Sequence, residues 1–143
     1  MSRIKEKFNH YVKANNQIVC VTCYDASFSK ILDDLKIDIV LVGDSLGMVI
    51  KGDRDTHSVK KEEILYHTSC VAKNKKNFLL MSDMPINSYK DKDSAIIFAK
   101  KLLNIDADII KIEYQDIHKD IVKEIISENI SVCGHLGFLP QYA

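Results

Sequence analysis

Apolar positions along the chain fall into two alternating rhythms. Residues 3–15 place Ile4, Phe8, Tyr11 and Val12 on one helical face, and 18–23 is a short β-rich run. Phe28, Ile31, Leu32 and Leu35 mark a second helix stripe, and 37–42 is continuously apolar apart from Asp38, as expected of a strand covered on both faces. A polar stretch follows. Residues 61–73 then turn helical through Ile64, Leu65, Thr68, Val71 and Ala72, and 78–81 reads as a third strand. A helix through Ala95, Ile96, Ala99, Leu102 and Leu103, a strand at 109–112, a helix face of Ile117, Ile121, Val122, Ile125 and Ile126, and a strand at 130–133 complete the pattern.

The predicted order is one helix, then strand and helix four times, ending on a fifth strand. Repeated strand–helix units indicate an α/β fold with a parallel sheet and right-handed crossovers. Nothing along the 143 residues marks a linker or a repeat, so 1–143 reads as a single domain. A closed barrel of eight such units needs roughly 250 residues, so a barrel reading makes this chain a partial one. All five glycines and both prolines fall just after predicted strands: Gly43, Gly47 and Gly52, then Pro85, then Gly134, Gly137 and Pro140. Special backbone geometry is thus expected at the carboxyl ends of the strands, where parallel α/β folds place their active sites.

Charge narrows the partners. Twenty basic and twenty acidic residues leave a formal net charge of zero, without the basic excess of a nucleic-acid surface or the cluster of a polybasic anchor. The charged start and the lack of any apolar run near the ~18 residues of a membrane span point to a cytoplasmic protein acting on small molecules, with no nucleic acid and no membrane. Cys20, Cys23, Cys70 and Cys133 are expected as reduced thiols in that setting. Cys20 and Cys23 have metal-like spacing but no second pair nearby.

Candidate chemistry collects at the strand ends. The first strand runs into Tyr24-Asp25, the second into Asp44, the third into Asp83, the fourth into Lys111-Ile112-Glu113 and the fifth into His135. Period-two alternation puts Lys111 and Glu113 on one face. If the sheet curls, Asp44, Asp83, Lys111 and Glu113 converge on one mouth. A helix N-cap is the plainer reading for an Asp at such a junction, and it suits Asp25 better than Asp44 or Asp83, which precede irregular stretches. Three carboxylates with few basic neighbours call for a hard, oxygen-binding cation such as Mg²⁺. Lys111 suits a substrate carboxylate, or else a surface salt bridge with Glu113 or Asp116. His135 lies between Gly134 and Gly137 with its role open, and His57, His67 and His118 have no matched partners.

The blocks Val21-Thr22-Cys23-Tyr24-Asp25-Ala26-Ser27-Phe28 and Leu41-Val42-Gly43-Asp44-Ser45-Leu46-Gly47-Met48 resemble ketopantoate (3-methyl-2-oxobutanoate) hydroxymethyltransferases. Further matches follow in order: Tyr66-His67-Thr68, Ser82-Asp83-Met84-Pro85, Lys111-Ile112-Glu113, and Gly134-His135-Leu136-Gly137 with Pro140-Gln141. The resemblance implies a TIM (β/α)₈ barrel of the phosphoenolpyruvate/pyruvate-binding type, here truncated to an N-terminal helix and about five strands with four helices, and a homo-oligomer. It implies transfer of a hydroxymethyl group from 5,10-methylenetetrahydrofolate to 3-methyl-2-oxobutanoate, giving 2-dehydropantoate for pantothenate biosynthesis, through an enolate stabilised by Mg²⁺. By matching position, Asp44, Asp83 and Glu113 would bind the metal, and Asp44, Ser45, Asp83 and Lys111 the keto acid.

The sequence departs from the family at 52–60, at Tyr114-Gln115 where glycines are usual, and at 138–143. The resemblance puts the family's proton-accepting glutamate on a later strand, beyond Ala143, so no catalytic base is assigned within 1–143. Two other readings stand beside the enzyme: a non-catalytic truncated remnant, and a Mg²⁺-dependent lyase on a 2-oxo acid with the same fold.

Overall fold

The computed structural model describes residues 3–14 and 17–143. Among these residues five parallel strands, β1 (Cys20–Thr22), β2 (Ile39–Val42), β3 (Leu79–Asp83), β4 (Ile109–Glu113) and β5 (Val132–His135), lie side by side in chain order. Six α-helices accompany them: α1 (Arg3–Ala14), α2 (Ala26–Asp34), α3 (Leu46–Val49), α4 (Lys61–Ala72), α5 (Lys92–Asn104) and α6 (Lys119–Ser127). Two 3₁₀ turns, Asp116–His118 and Pro140–Tyr142, precede α6 and follow β5. The strand–helix alternation is the expected one. The stretch after β2, read as irregular, contains the one-turn α3, whose Leu46 is fully buried.

Strand alternation divides the sheet into two unlike faces. Val40, Val42, Leu80, Ile110 and Ile112 point outward into the main core, against Ile64 and Val71 of α4, Phe98, Ala99 and Leu102 of α5, and Ile121 and Ile125 of α6. Each large apolar side chain so buried contributes about 1.5–3 kcal/mol. Ile39, Leu79, Met81 and Ile109 point the other way and meet Ile4 and Phe8 of α1. The side chain of Val12, expected on the same helical face, lies outside the described residues, as does residue 15. This inner face borders a cavity of about 910 Å³, lined among others by Ile4, Phe8, Ile39, Met81, Ile109 and Val132.

Continuing the inner face toward the carboxyl ends, the alternation runs Leu79, Met81, Asp83 on β3 and Ile109, Lys111, Glu113 on β4. The apolar floor thus gives way to charge within one residue pair. Register aligns Asp83 with Lys111 and Glu113 with His135.

The backbone corrects two expectations. Gly134 lies inside β5 rather than after it. Special geometry is also not confined to the carboxyl ends, because Lys36, Asp106 and Asn129 adopt φ of 57°, 74° and 60° on the opposite side. Each follows a helix and closes it identically. Lys36 N–H donates to Asp33 O and Ile37 N–H to Leu32 O, and the same pattern recurs at Asp106–Ala107 and Asn129–Ile130. These are Schellman closures built without glycine.

Candidate active site

Four acidic or basic side chains meet where the inner face of the sheet ends. Asp44, Asp83 and Glu113 are 4%, 2% and 1% exposed, and Lys111 reaches over them from the centre of β4. Lys111 Nζ lies 2.7 Å from Asp83 Oδ1, and the other carboxylate oxygen of Asp83 accepts the Asp44 backbone N–H at 3.2 Å. The surface salt bridge considered for Lys111, with Glu113 or Asp116, is not its partnership: the register places Asp83 beside it instead.

Burial pushes the Asp83 carboxyl up to about 7, with Lys111 pulling it down and Asp44 pushing it further up. Burial raises Asp44 likewise, opposed by Gln141 and Lys111. Lys111 is held above its ordinary value, because the three carboxylates around it outweigh the opposing effect of burial. The sequence suggested carboxylates with few basic neighbours, whereas here each negative group has a donor or a cation close by. His135 Nδ1 faces Glu113 Oε1 at 3.5 Å and is otherwise without a hydrogen-bond partner.

The loop after β2 is shaped by two close approaches. A Cβ on Gly43 would stand 3.1 Å from Ser45 Oγ and 3.4 Å from Asp83 Oδ2, so glycine lets β2 and β3 deliver Asp44 and Asp83 side by side. A Cβ on Gly47 would stand 2.8 Å from Val59 Cγ2 and 3.1 Å from Asp55 O, so glycine also admits the 53–59 loop against α3. Ser45 Oγ shares a 2.6 Å hydrogen bond with the Tyr24 hydroxyl. The 66–68 block buttresses from behind: His67 Nδ1 lies 2.7 Å from Tyr24 O, and Thr68 Oγ1 lies 2.9 Å from the buried Ser82 Oγ. Asp25 stands apart as the cap of α2, accepting the N–H groups of Ser27 and Phe28 at 2.8 and 2.9 Å.

Sequence reasoning passed over Gln141 as a site residue. Its side chain is 1% exposed and lies among the carboxylates, with Nε2 2.7 Å from Asp44 Oδ2. The Pro140-Gln141 match was the only signal for it. The segment 138–143, read as a departure from the family pattern, therefore delivers a residue to the site. Ala143 itself caps the Pro140–Tyr142 turn and is exposed.

The donor set is all oxygen, buried and gathered at one end of the sheet, which suits Mg²⁺ in preference to a softer ion. The side chains are not preassembled: among the described residues no group of three or more His, Cys, Asp and Glu stands in position to hold a metal. Asp83 spends both oxygens on Lys111 and the Asp44 N–H, while one oxygen of Asp44 is engaged by Gln141.

A parallel β/α sheet that carries buried carboxylates and one lysine at its carboxyl ends defines a barrel-type enzyme domain. Residues 3–143 match ketopantoate hydroxymethyltransferase, and the chain belongs to that family. It is 41% identical over 136 residues to the 3-methyl-2-oxobutanoate hydroxymethyltransferase of Ruthia magnifica subsp. Calyptogena magnifica, covering 95% of this chain and 52% of that protein. Against the same-named protein of Vibrio cholerae serotype O1 (strain M66-2) the identity is 45% over 120 residues, covering 84% of this chain and 46% of that protein. The chain thus spans about half the length of the curated relatives it matches. Among solved structures it resembles oxaloacetate acetylhydrolase bound to 3,3-difluorooxalacetate, with a TM-score of 0.67 at 12% identity, over 90% of this chain and 51% of that one. It also resembles 2,3-dimethylmalate lyase, a PEP mutase/isocitrate lyase superfamily member, with a TM-score of 0.65 at 8% identity, over 94% and 53%. The fold is therefore that of a partial TIM barrel. No described helix is long and apolar enough to cross a membrane.

Proposed function

We propose that this chain carries the keto-acid and metal half of a 3-methyl-2-oxobutanoate hydroxymethyltransferase, which takes its one-carbon unit from 5,10-methylenetetrahydrofolate and forms 2-dehydropantoate. The observation that carries the reading is the Asp83–Lys111 pair set beside buried Asp44 and Glu113, on the residues the family match spans.

Asp44, Asp83 and Glu113 would hold Mg²⁺. When bound, the ion would draw electron density from the keto acid's oxygens and acidify the neighbouring C–H. Lys111 offers the substrate carboxylate a cation that is already fixed in place, its ammonium presented from the sheet rather than from a mobile surface chain. Asp83 keeps that ammonium aimed, and Ser45, held by the Tyr24 hydroxyl, supplies a neutral hydroxyl on the Asp83 side of the site. Burial of the carboxylates strengthens each of these contacts relative to water. The proton acceptor is assigned to a glutamate beyond Ala143, following the family resemblance. The same reading includes a homo-oligomeric, cytoplasmic protein.

Calorimetry of 3-methyl-2-oxobutanoate against the chain, with and without Mg²⁺, tests the proposal. Binding that requires Mg²⁺ and disappears in Asp44→Ala supports it. No binding, or equal binding in Asp44→Ala, overturns it. The same preparation assayed for hydroxymethyl transfer separates a working enzyme from a remnant that binds without turnover.

A further inference from the structure

We infer that Gln141 is a positioning residue for Asp44 and Glu113, and that Tyr89, Tyr142 and His118 hold its carboxamide in a single orientation. For the effect on metal affinity, the inference rests on the Mg²⁺ reading above. For the hydrogen-bond relay, it rests on geometry alone.

Gln141 lies in the 3₁₀ turn Pro140–Tyr142 and closes over the mouth of the sheet. Its backbone N–H donates to Glu113 Oε2 at 3.0 Å. Its Nε2 donates to Asp44 Oδ2 at 2.7 Å and to Met84 O at 3.0 Å, and its Oε1 accepts from the Tyr89 hydroxyl at 2.5 Å. A carboxamide has two N–H donors and one carbonyl acceptor, and here both ends of the group are engaged. The two groups facing Nε2 are pure acceptors. Turning the amide over would set its oxygen against a carboxylate and a carbonyl, so the orientation is dictated by charge.

The same logic runs outward. Gln115 N–H donates to His118 Nδ1 at 3.1 Å, so that nitrogen carries no hydrogen, the ring is neutral and Nε2 bears the proton. His118 Nε2 lies 3.2 Å from the Tyr142 hydroxyl, which lies 3.1 Å from that of Tyr89. Each hydroxyl has one proton to give. With His118 donating to Tyr142, Tyr142 donates to Tyr89, and Tyr89 is left to donate to Gln141. The longer 3.5 Å approach of Tyr89 to Glu113 O is its other acceptor. Packing fixes the rings, with Tyr89 and His118 centroids 5.0 Å apart and His118 and Tyr142 5.9 Å apart. The result is a one-way chain from the loop before α6 to Asp44 Oδ2, in which every link polarises the next. The chain holds one oxygen of Asp44, the Gln141 backbone N–H holds one of Glu113, and together they set where the other oxygens point. Hydrogen-bond partners of this kind orient carboxylate ligands and tune a metal site.

The test uses the whole chain, labelled with ¹⁵N. Gln141 is one of three glutamines, with Gln17 and Gln115, so its side-chain amide is readily assigned. In metal-free protein, Tyr89→Phe should move the Gln141 side-chain amide resonances and speed their exchange with water, and Tyr142→Phe should do so to a smaller extent. An unmoved Gln141 amide in Tyr89→Phe overturns the relay. In Mg²⁺ titrations by calorimetry, Gln141→Leu should weaken binding about 10- to 100-fold. Unchanged Mg²⁺ affinity in Gln141→Leu, where Asp44→Ala abolishes binding, overturns the positioning role. Wild-type protein that binds no Mg²⁺ overturns the metal reading and with it the affinity effect, while the amide resonances still decide the relay.

Discussion

Lys111 Nζ and Asp83 Oδ1 stand 2.7 Å apart, at the one register position where β3 and β4 bring a lysine opposite an aspartate. Both side chains lie on the inner face of the sheet, directly beyond Met81 and Ile109, so the ion pair forms where the apolar floor stops. Removing the lysine leaves a buried carboxylate without its cation. Lys111→Met should therefore destabilise the chain by about 3–5 kcal/mol, read as a lowered urea midpoint at pH 7. Combining it with Asp83→Leu should recover most of that loss, since no charge is then left unpaired. A double variant as unstable as the single one would show that the pair is not the cause.

Asp33 gives a pH dependence away from the site. Burial alone would raise its carboxyl, but the N–H groups of Lys76 and Asn77 at 2.8 and 2.7 Å and the Asn77 amide at 3.0 Å outweigh it and hold it below its ordinary value of 3.8. A carboxyl lowered on folding stabilises the folded state above the unfolded value, and the effect is lost as pH falls through the folded one. Asp33→Asn should be less stable than wild type by about 1.5–3 kcal/mol at pH 7. The gap should close as the pH is taken below about 3.8. Denaturation midpoints measured from pH 7 to pH 2.5 check the sign; a gap that widens in acid contradicts it.

Gly47 and Gly43 should respond differently to one added methyl. Gly47→Ala forces Val59 and the Asp55 carbonyl to move, and overpacking of this kind costs about 1–3 kcal/mol. Gly43→Ala crowds Ser45 Oγ and Asp83 Oδ2 instead. Its main effect should be a loss of keto-acid affinity at nearly unchanged melting temperature. Thermal unfolding and calorimetry on the two variants separate the effects.

Asp25 should behave as a cap and nothing more. Asp25→Ala removes the acceptor for Ser27 N–H and Phe28 N–H, a loss of about 1 kcal/mol, and Asp25→Asn should retain most of the stability. Neither should change Mg²⁺ or keto-acid affinity. A loss of affinity in Asp25→Asn would place this residue in the site after all.

The order of strands and helices was legible from the sequence, because the periodicity of apolar side chains is a one-dimensional record of which face is buried. The residues that end the strands were legible for the same reason: alternation alone puts Lys111 and Glu113 on one side of β4, and the residue types of Asp44 and Asp83 suggest oxygen chemistry. The Asp25 cap could also be read, since its partners lie two and three positions away. Glycine-free helix ends at Lys36, Asp106 and Asn129 were not legible, because a left-handed residue without glycine leaves no compositional mark.

Tertiary structure alone decided the pairings. Asp83 rather than Glu113 or Asp116 neutralises Lys111, because the β3–β4 register sets two residues 28 positions apart side by side. Gln141 reaches Asp44 across 97 positions, through a turn whose course no local pattern encodes. Sequence determines which side chains are available and which face each one takes. Only the curl and register of the sheet, fixed by the packing of distant elements, determine which of them meet.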